Sequence, residues 1–315
     1  MKEKLLQLDP IGTSLLMGAI IAYLTAVHYG GQMEPWSSSL VIGLIVGSVV
    51  LFALFGVVEY WQGERAMILP RLFMRRMMGV SLFYTFLQGG ALFSMVYYLP
   101  LYFQAIRGTS PITSGVHNLP FIVAAMSSAL GAGIFISATG LSTAVMVGGS
   151  TIATLGCGLC YLFGLHTSTG VWVGIQIVAG LGLGAAFQTP IIVGQVSVKE
   201  TDLPSATAMI LNFQTVGGAI WVSATQAVFV NTMLNSLPTL APTVDPMQVV
   251  ATGAGQLREV FESEQLAGVL ASYLKGLRAA YVLSCAVVGT SFVIGLFVPW
   301  EKLDTVALKG ASGAV

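Results

Sequence analysis

Charge is what this sequence has least of. Asp, Glu, Lys and Arg make up 8% of its 315 residues, thirteen of each sign, and the formal net charge is zero. Soluble domains carry about 25% charged residues, so the deficit excludes an ordinary soluble fold, and the neutral balance leaves no electrostatic footprint for nucleic acid. Cysteine is scarce as well. Cys157, Cys160 and Cys285 all lie inside apolar stretches. The first two have redox or zinc spacing, but no other ligand is near, so all three are expected to be small packing residues. Acidic residues are missing where they would matter most: no apolar stretch holds an Asp or Glu at its middle, Glu59 falling at the end of one and Glu34 in a loop. His28, His117 and His166 sit near stretch ends or in loops and read as interfacial or capping residues. Ionisable residues inside a membrane are functional hypotheses by default, and a proton relay finds no carrier here. Ser-His-Asp, HExxH, paired-carboxylate and metal-ligand patterns are also missing, so neither enzyme activity, a cofactor nor a metal site is expected. The start, Met1-Lys2-Glu3-Lys4, is broken by Asp9 and Pro10 before any apolar core and does not read as a signal peptide.

What is abundant is apolar sequence. Eight continuous blocks run roughly over 13–31, 40–61, 78–103, 113–136, 143–165, 170–194, 205–231 and 277–299. Each can cross a hydrocarbon core of about 30 Å at about 1.5 Å per helical residue, and unbroken rather than alternating blocks exclude a β-barrel. The expectation is an all-α polytopic membrane protein with about eight transmembrane helices in the lipid bilayer. Lys and Arg in short loops mark the cytoplasmic face. Lys2, Lys4, Arg65, Arg71, Arg75, Arg76, Lys199, Lys302 and Lys309 fall on one side, and Arg107, Arg258, Lys275 and Arg278 on the other. Both termini are therefore expected in the cytoplasm. The chain divides into an N-terminal segment with a helix pair (1–77), a six-helix bundle (78–299) and a cytoplasmic tail (300–315). The bundle carries a long non-cytoplasmic loop at 232–276, which opens with Pro238, Pro242 and Pro246 and continues over 256–275 as an amphipathic helix on the interface or outer face.

Neutral polar residues populate the blocks instead of charges. Gln88, Tyr98, Asn118, Gln176, Gln188, Asn212, Gln214 and Gln226 are the candidate substrate-cavity residues. Amides facing lipid would cost several kcal/mol, on the order of 4–8, so each must face a cavity or hydrogen-bond another helix, at an average of about 0.6 kcal/mol. As a set they suit a cavity for amphipathic, largely neutral small molecules. Glycine supplies the second signal. Gly43 and Gly47, Gly180 and Gly184, and the pair Gly217 and Gly218 are expected to let helix backbones approach. Pro100, Pro120 and Pro190 mark kinks or helix ends.

The run Val96-Tyr97-Tyr98-Leu99-Pro100-Leu101-Tyr102-Phe103-Gln104-Ala105, then Gly108, Ser114-Gly115 and Asn118-Leu119-Pro120, resembles the major facilitator superfamily. The nearest likeness is its fourteen-helix drug:proton antiporter branch, in particular fungal mycotoxin and multidrug efflux pumps. Gly30-Gly31 with Pro35-Trp36, Gln188-Thr189-Pro190, Ala206-Thr207-Ala208, Gln214–Ala219 and Thr252-Gly253-Ala254 extend the match over nearly the whole chain. The resemblance implies the family's extra central helix pair followed by its C-terminal six-helix half, as in an N-terminally truncated transporter. It implies export of drugs, toxins or secondary metabolites by alternating access, with proton coupling supplied through the other half. The loop Ser137–Gly140 departs from the family pattern in lacking an Arg. The competing expectation is a truncated, non-transporting membrane protein with a structural or interaction role. The plasma membrane is expected ahead of the vacuolar membrane, although no sorting signal is legible.

Overall fold

The computed structural model describes residues 9–300 together with 302 and 303. Lys2, Lys4 and Lys309, and nearly all of the tail, lie outside the described residues. The fold is all-α. The long helices are α1 (Pro10–Tyr29), α2 (Ser39–Gln62), then after a short α3 (Pro70–Phe73) α4 (Arg76–Ala105). A short α5 (Pro111–His117) precedes α6 (Leu119–Thr139), α7 (Ser142–Leu159), α8 (Thr169–Val196) and α9 (Leu203–Leu240). The short α10 (Pro246–Ala251) and α11 (Leu257–Val260) lead into α12 (Ser263–Gly295). Among the described residues, seven helices are long and apolar enough to cross a membrane: α1, α2, α4, α6, α7, α8 and α12. The expected eighth, α9, is 38 residues long. It falls short on apolarity because Asn212, Gln214, Gln226 and Asn231 interrupt it, yet it packs along α4 and α12 inside the same bundle. The protein is an integral membrane protein.

The bundle is built around contacts of α6 and α7 with α8, and of α4 with α9 and α12. The α1–α2 hairpin leans on α9 through α1. Small residues set these seams. A Cβ at Gly180 would meet the Phe121 carbonyl, at Gly184 the Ala125 carbonyl, at Gly217 the Phe86 carbonyl and at Gly218 the Phe93 ring. Gly43 and Gly47 correct the expectation, since a Cβ at either would meet nothing within 4 Å. The α1–α2 contact is made by another face of α2, where Ser48 donates to the Ala19 carbonyl at 2.8 Å. Cys157 and Cys160 are buried free thiols in the apolar core, and Cys285 is partly buried.

Two expected boundaries move. The fourth block is two helices, broken at Asn118, which sits in α conformation while Pro120 occupies the opening turn of α6; proline fits there because that turn's N–H groups have no partner within the helix. The 232–276 segment is mostly helical rather than a loop. Helix α9 runs on through Pro238 to Leu240, and α12 begins at Ser263. The amphipathic stretch is therefore divided between the short α11 and the first part of the last helix. Val269, Leu270, Tyr273 and Leu274 pack with Leu237, Val249, Leu257 and Phe261 in one core. Arg258 donates to the Ile106 carbonyl at 2.7 Å and ties this cap to the end of α4.

A fork holds the opposite end. Arg71 donates to both carboxylate oxygens of Asp202, at 2.7 and 2.6 Å, and to Glu64 at 2.7 Å. The linker after α2 is thereby fastened to the α8–α9 turn. The Arg71 guanidinium holds the Asp202 carboxyl below its usual value, and both acids push the Arg71 proton affinity up. A lowered native carboxyl stabilises fully above its ordinary value of 3.8 and loses that contribution as pH falls through the lowered value. Asp202→Asn is expected to lower the melting temperature at pH 7 and to shrink the loss seen in wild type on acidification. Equal acid sensitivity in both proteins would discount the fork.

Candidate functional site

The eight candidate residues divide by the structure into bonded and unbonded groups. On α4, Gln88 is fully buried and donates to the Ser291 hydroxyl of α12 at 2.7 Å. One face further along, Tyr98 donates to Gln226 Oε1 of α9 at 2.9 Å, and its own carbonyl accepts from Tyr281 of α12 at 3.1 Å. Gln214 of α9 donates to the Phe187 carbonyl of α8 at 3.1 Å. Asn212 reaches the linker after α2, where its amide lies 3.5 Å from Met67 Sδ. These five side chains bridge elements, so helix–helix bonding occupies at least part of their polar capacity.

The remaining three are Asn118, Gln176 and Gln188. Gln176 is wholly buried, and neither its Oε1 nor its Nε2 has a partner. It lies on α8 one turn from Trp172, whose ring meets His117, and one turn from Gly180, which backs onto Phe121. Asn118, at the head of α6, is also buried, with Oδ1 unpartnered. Buried amides without partners cost about 1–3 kcal/mol, so this seam stores polar capacity that the resting packing does not use. Gln188 is half-buried on α8.

The neighbourhood of Gln188 contains what composition alone did not single out. Phe93 of α4 and the adjacent Phe187 of α8 meet edge to face at 6.3 Å, and Gly218 of α9 lets the Phe93 ring sit against its backbone. Phe93 and Tyr97 remain 42% and 53% exposed, one turn apart on one face of α4. Three helices thus converge on an aromatic patch able to stack on flat apolar rings, with the half-buried Gln188 next to Phe187 in sequence and the buried Gln214 amide tied to the Phe187 carbonyl beneath it. The sequence signal for Phe93 was its one-turn spacing from Tyr97; for Phe187, only adjacency to Gln188.

A second space lies between the hairpin and the bundle. It is a cavity of about 340 Å³ lined by Leu16, Phe52, Phe55, Ile68, Phe86, Asn212, Phe213, Val216 and Ile220. Asn212 therefore belongs with this apolar cleft rather than with the aromatic patch. Among the described residues no group of three or more His, Cys, Asp or Glu could hold a metal ion.

Comparison with known proteins places this geometry. No family model matches the chain. It is 45% identical to the MFS-type transporter grgE of a Penicillium species, over 96% of this chain and 54% of that protein. It is 42% identical to the probable efflux pump gsfJ of Penicillium aethiopicum, over 100% of this chain and 57% of that protein. The chain thus spans about half the length of the curated relatives it matches. Among solved structures, it shares its fold with a bacterial homologue of the human lysosomal transporter Spinster, captured inward-facing and occupied. That match has a TM-score of 0.57 and 12% identity, and covers 82% of this chain and 57% of the other. The resemblance carried by Val96–Ala105 and the later motifs holds along nearly the entire chain, which is a relative of major facilitator transporters.

Proposed function

We propose that this chain, as a relative of major facilitator transporters, supplies the C-terminal half-bundle and central helix pair of an efflux system for small amphipathic molecules. The observation that carries the reading is the 45% identity to a named transporter over 96% of the chain. The patch of Phe93, Tyr97 and Phe187, with Gln188 beside it, is its recognition surface, apolar and aromatic, and the buried Gln214 amide holds the Phe187 backbone in place. In transporters of this kind the substrate sits near the bilayer midplane between two halves that rock against each other. Asn118 and Gln176 supply hydrogen bonds when that motion opens the α6–α8 seam. Proton coupling, in this reading, comes from groups outside α4 and α6–α9, whose bilayer-depth stretches hold no Asp or Glu. The plasma membrane is the site of export.

The test is accumulation of a panel of planar, uncharged toxins in a pump-deficient yeast co-expressing the chain with the remaining N-terminal portion of a transporter of this kind. Wild type is expected to lower retention of at least one compound several-fold, and Phe93→Ala to abolish that difference. Unchanged retention across the panel would sink the reading. Accessibility separates the patch from the packing amides. With native thiols replaced, Gln188→Cys is expected to react readily with a water-soluble thiol reagent and to be protected by an exported compound, whereas Gln88→Cys is expected to stay shielded. Equal labelling at the two positions would remove Gln188 from the patch.

A further inference from the structure

The sequence offered no paired carboxylates, but the fold makes one. Asp9 precedes α1 and Glu59 lies in the last turn of α2, and the hairpin brings both acids to the same end. Asp9 is 1% exposed and Glu59 4%. Asp9 caps α1 by accepting from the Gly12 N–H at 2.8 Å, and also accepts from Gln62 Nε2 at 2.5 Å and the Met67 N–H at 3.5 Å. Glu59 accepts from the Ile68 N–H through Oε2 at 2.6 Å, while Oε1 has no conventional donor. The two carboxyls share one small space, since a Cβ at Gly12 would meet both Asp9 Oδ2 and Glu59 Oε1. They close so tightly over the start of α1 that a Cβ at Gly12 would lie 2.6 Å from Glu59 Oε1. Among the described residues, Asp9 is also the only non-glycine with a positive φ, 42°, a conformation that persists where its surroundings over-determine it.

Among the described residues nothing basic offsets the pair. Three elements close around it: the start of α1, the end of α2 and the linker at Met67–Ile68. On that linker Glu64 and Arg65 are exposed, and Arg71 is committed to Glu64 and Asp202. No ion pair reaches Asp9 or Glu59 among the described residues.

We propose that Asp9 and Glu59 form a proton-binding site, with one proton carried on Glu59 Oε1 and hydrogen-bonded to the Asp9 carboxylate. Two buried carboxyls in contact do not both ionise cheaply, and a single proton turns their repulsion into a short charge-assisted bond. Asp9 is the ionised member. Burial alone would raise its carboxyl, but the hydrogen bonds from Glu59, Gly12, Gln62 and Met67 outweigh burial and hold it below its ordinary value. The proton also has a mechanical effect. Asp9 and Glu59 accept the backbone N–H groups of Met67 and Ile68, so loss of the proton to solvent drives the two carboxylates apart and releases the linker from the hairpin. This site is separate from the aromatic patch, and the inference does not depend on the transport reading.

The test is infrared spectroscopy of the purified full chain in lipid nanodiscs at pH 7, with carboxyl-labelled glutamate or, separately, aspartate. Wild type is expected to show one protonated-carboxyl C=O band that shifts with glutamate labelling only. Glu59→Gln, whose amide can donate to Asp9 and accept from Ile68 as the acid does, is expected to lose the band while keeping its melting temperature. Should that variant not fold, the wild-type labelling decides alone. The proposal is overturned by the absence of a band at pH 7, by a band that follows aspartate labelling, by a band that persists in Glu59→Gln, or by a band that appears only when alkali cations are removed, which would make this a cation site.

Discussion

Gly184→Val and Gly217→Val are expected to destabilise the protein more than any substitution of a polar site residue. At Gly184 a side chain would run into the Ala125 carbonyl of α6, and at Gly217 into the Phe86 carbonyl of α4. The obstacle is backbone in both cases, so no rotamer change relieves it and whole helices must move apart. Overpacking costs about 1–3 kcal/mol in typical cores, and a clash with a helix backbone belongs at or above the top of that range. Gly43→Val and Gly47→Val supply the contrast, because nothing lies within 4 Å of either position. Exposed changes are usually within about 0.5 kcal/mol, and replacing a helical glycine adds a small gain. Melting followed by size-exclusion chromatography in detergent should show the first two variants aggregating at temperatures where the second two remain monodisperse. A common melting temperature for all four would mean that the glycine seams do not set the packing.

Reconstituted alone in liposomes, the 315-residue chain is expected to show no saturable uptake of a dye-type substrate. Alternating access moves two halves about one site, and the chain spans 54% of one transporter relative and 57% of another. The patch on α4 supports the same expectation, since the exposed Phe93 and Tyr97 have no opposing surface among the described residues. Addition of the remaining portion of a transporter of this kind should restore a rate well above the lipid background. Saturable uptake by the chain alone would show that a second copy provides the opposing surface.

The membrane spans were legible because continuous apolar length is a one-dimensional property. Packing was not. Gly43-x-x-x-Gly47 and Gly180-x-x-x-Gly184 are the same pattern, yet only the second meets a neighbouring helix. Spacing fixes that two residues share a face; it does not say what that face meets. The last helix was read too short for a related reason. Lys275 and Arg278 look like the edge of a span, but Arg278 turns back to donate to the Phe163 carbonyl at 3.0 and 3.2 Å and lies over the Tyr161 ring. Its charge is thus satisfied beside the helix, which continues in both directions. The polar site residues were recognisable as residues that could not face lipid, but the choice between cavity and partner helix depended on Ser291, Gln226 and the Phe187 carbonyl. Asp9 and Glu59 were individually visible; their meeting depends on the hairpin closing.

The two longest helices have a practical consequence beyond transport. At about 1.5 Å per residue, the 38 residues of α9 and the 33 of α12 both outrun a bilayer core of about 30 Å. Their overhanging ends do not splay: Gly268 backs onto the Leu240 carbonyl, and the Phe229 and Tyr273 rings meet at 5.0 Å. The two ends are thus packed on each other and continuous with the bundle. An antibody fragment raised against them would be locked to the membrane domain, giving electron microscopy an orientation marker on a molecule otherwise hidden in its micelle.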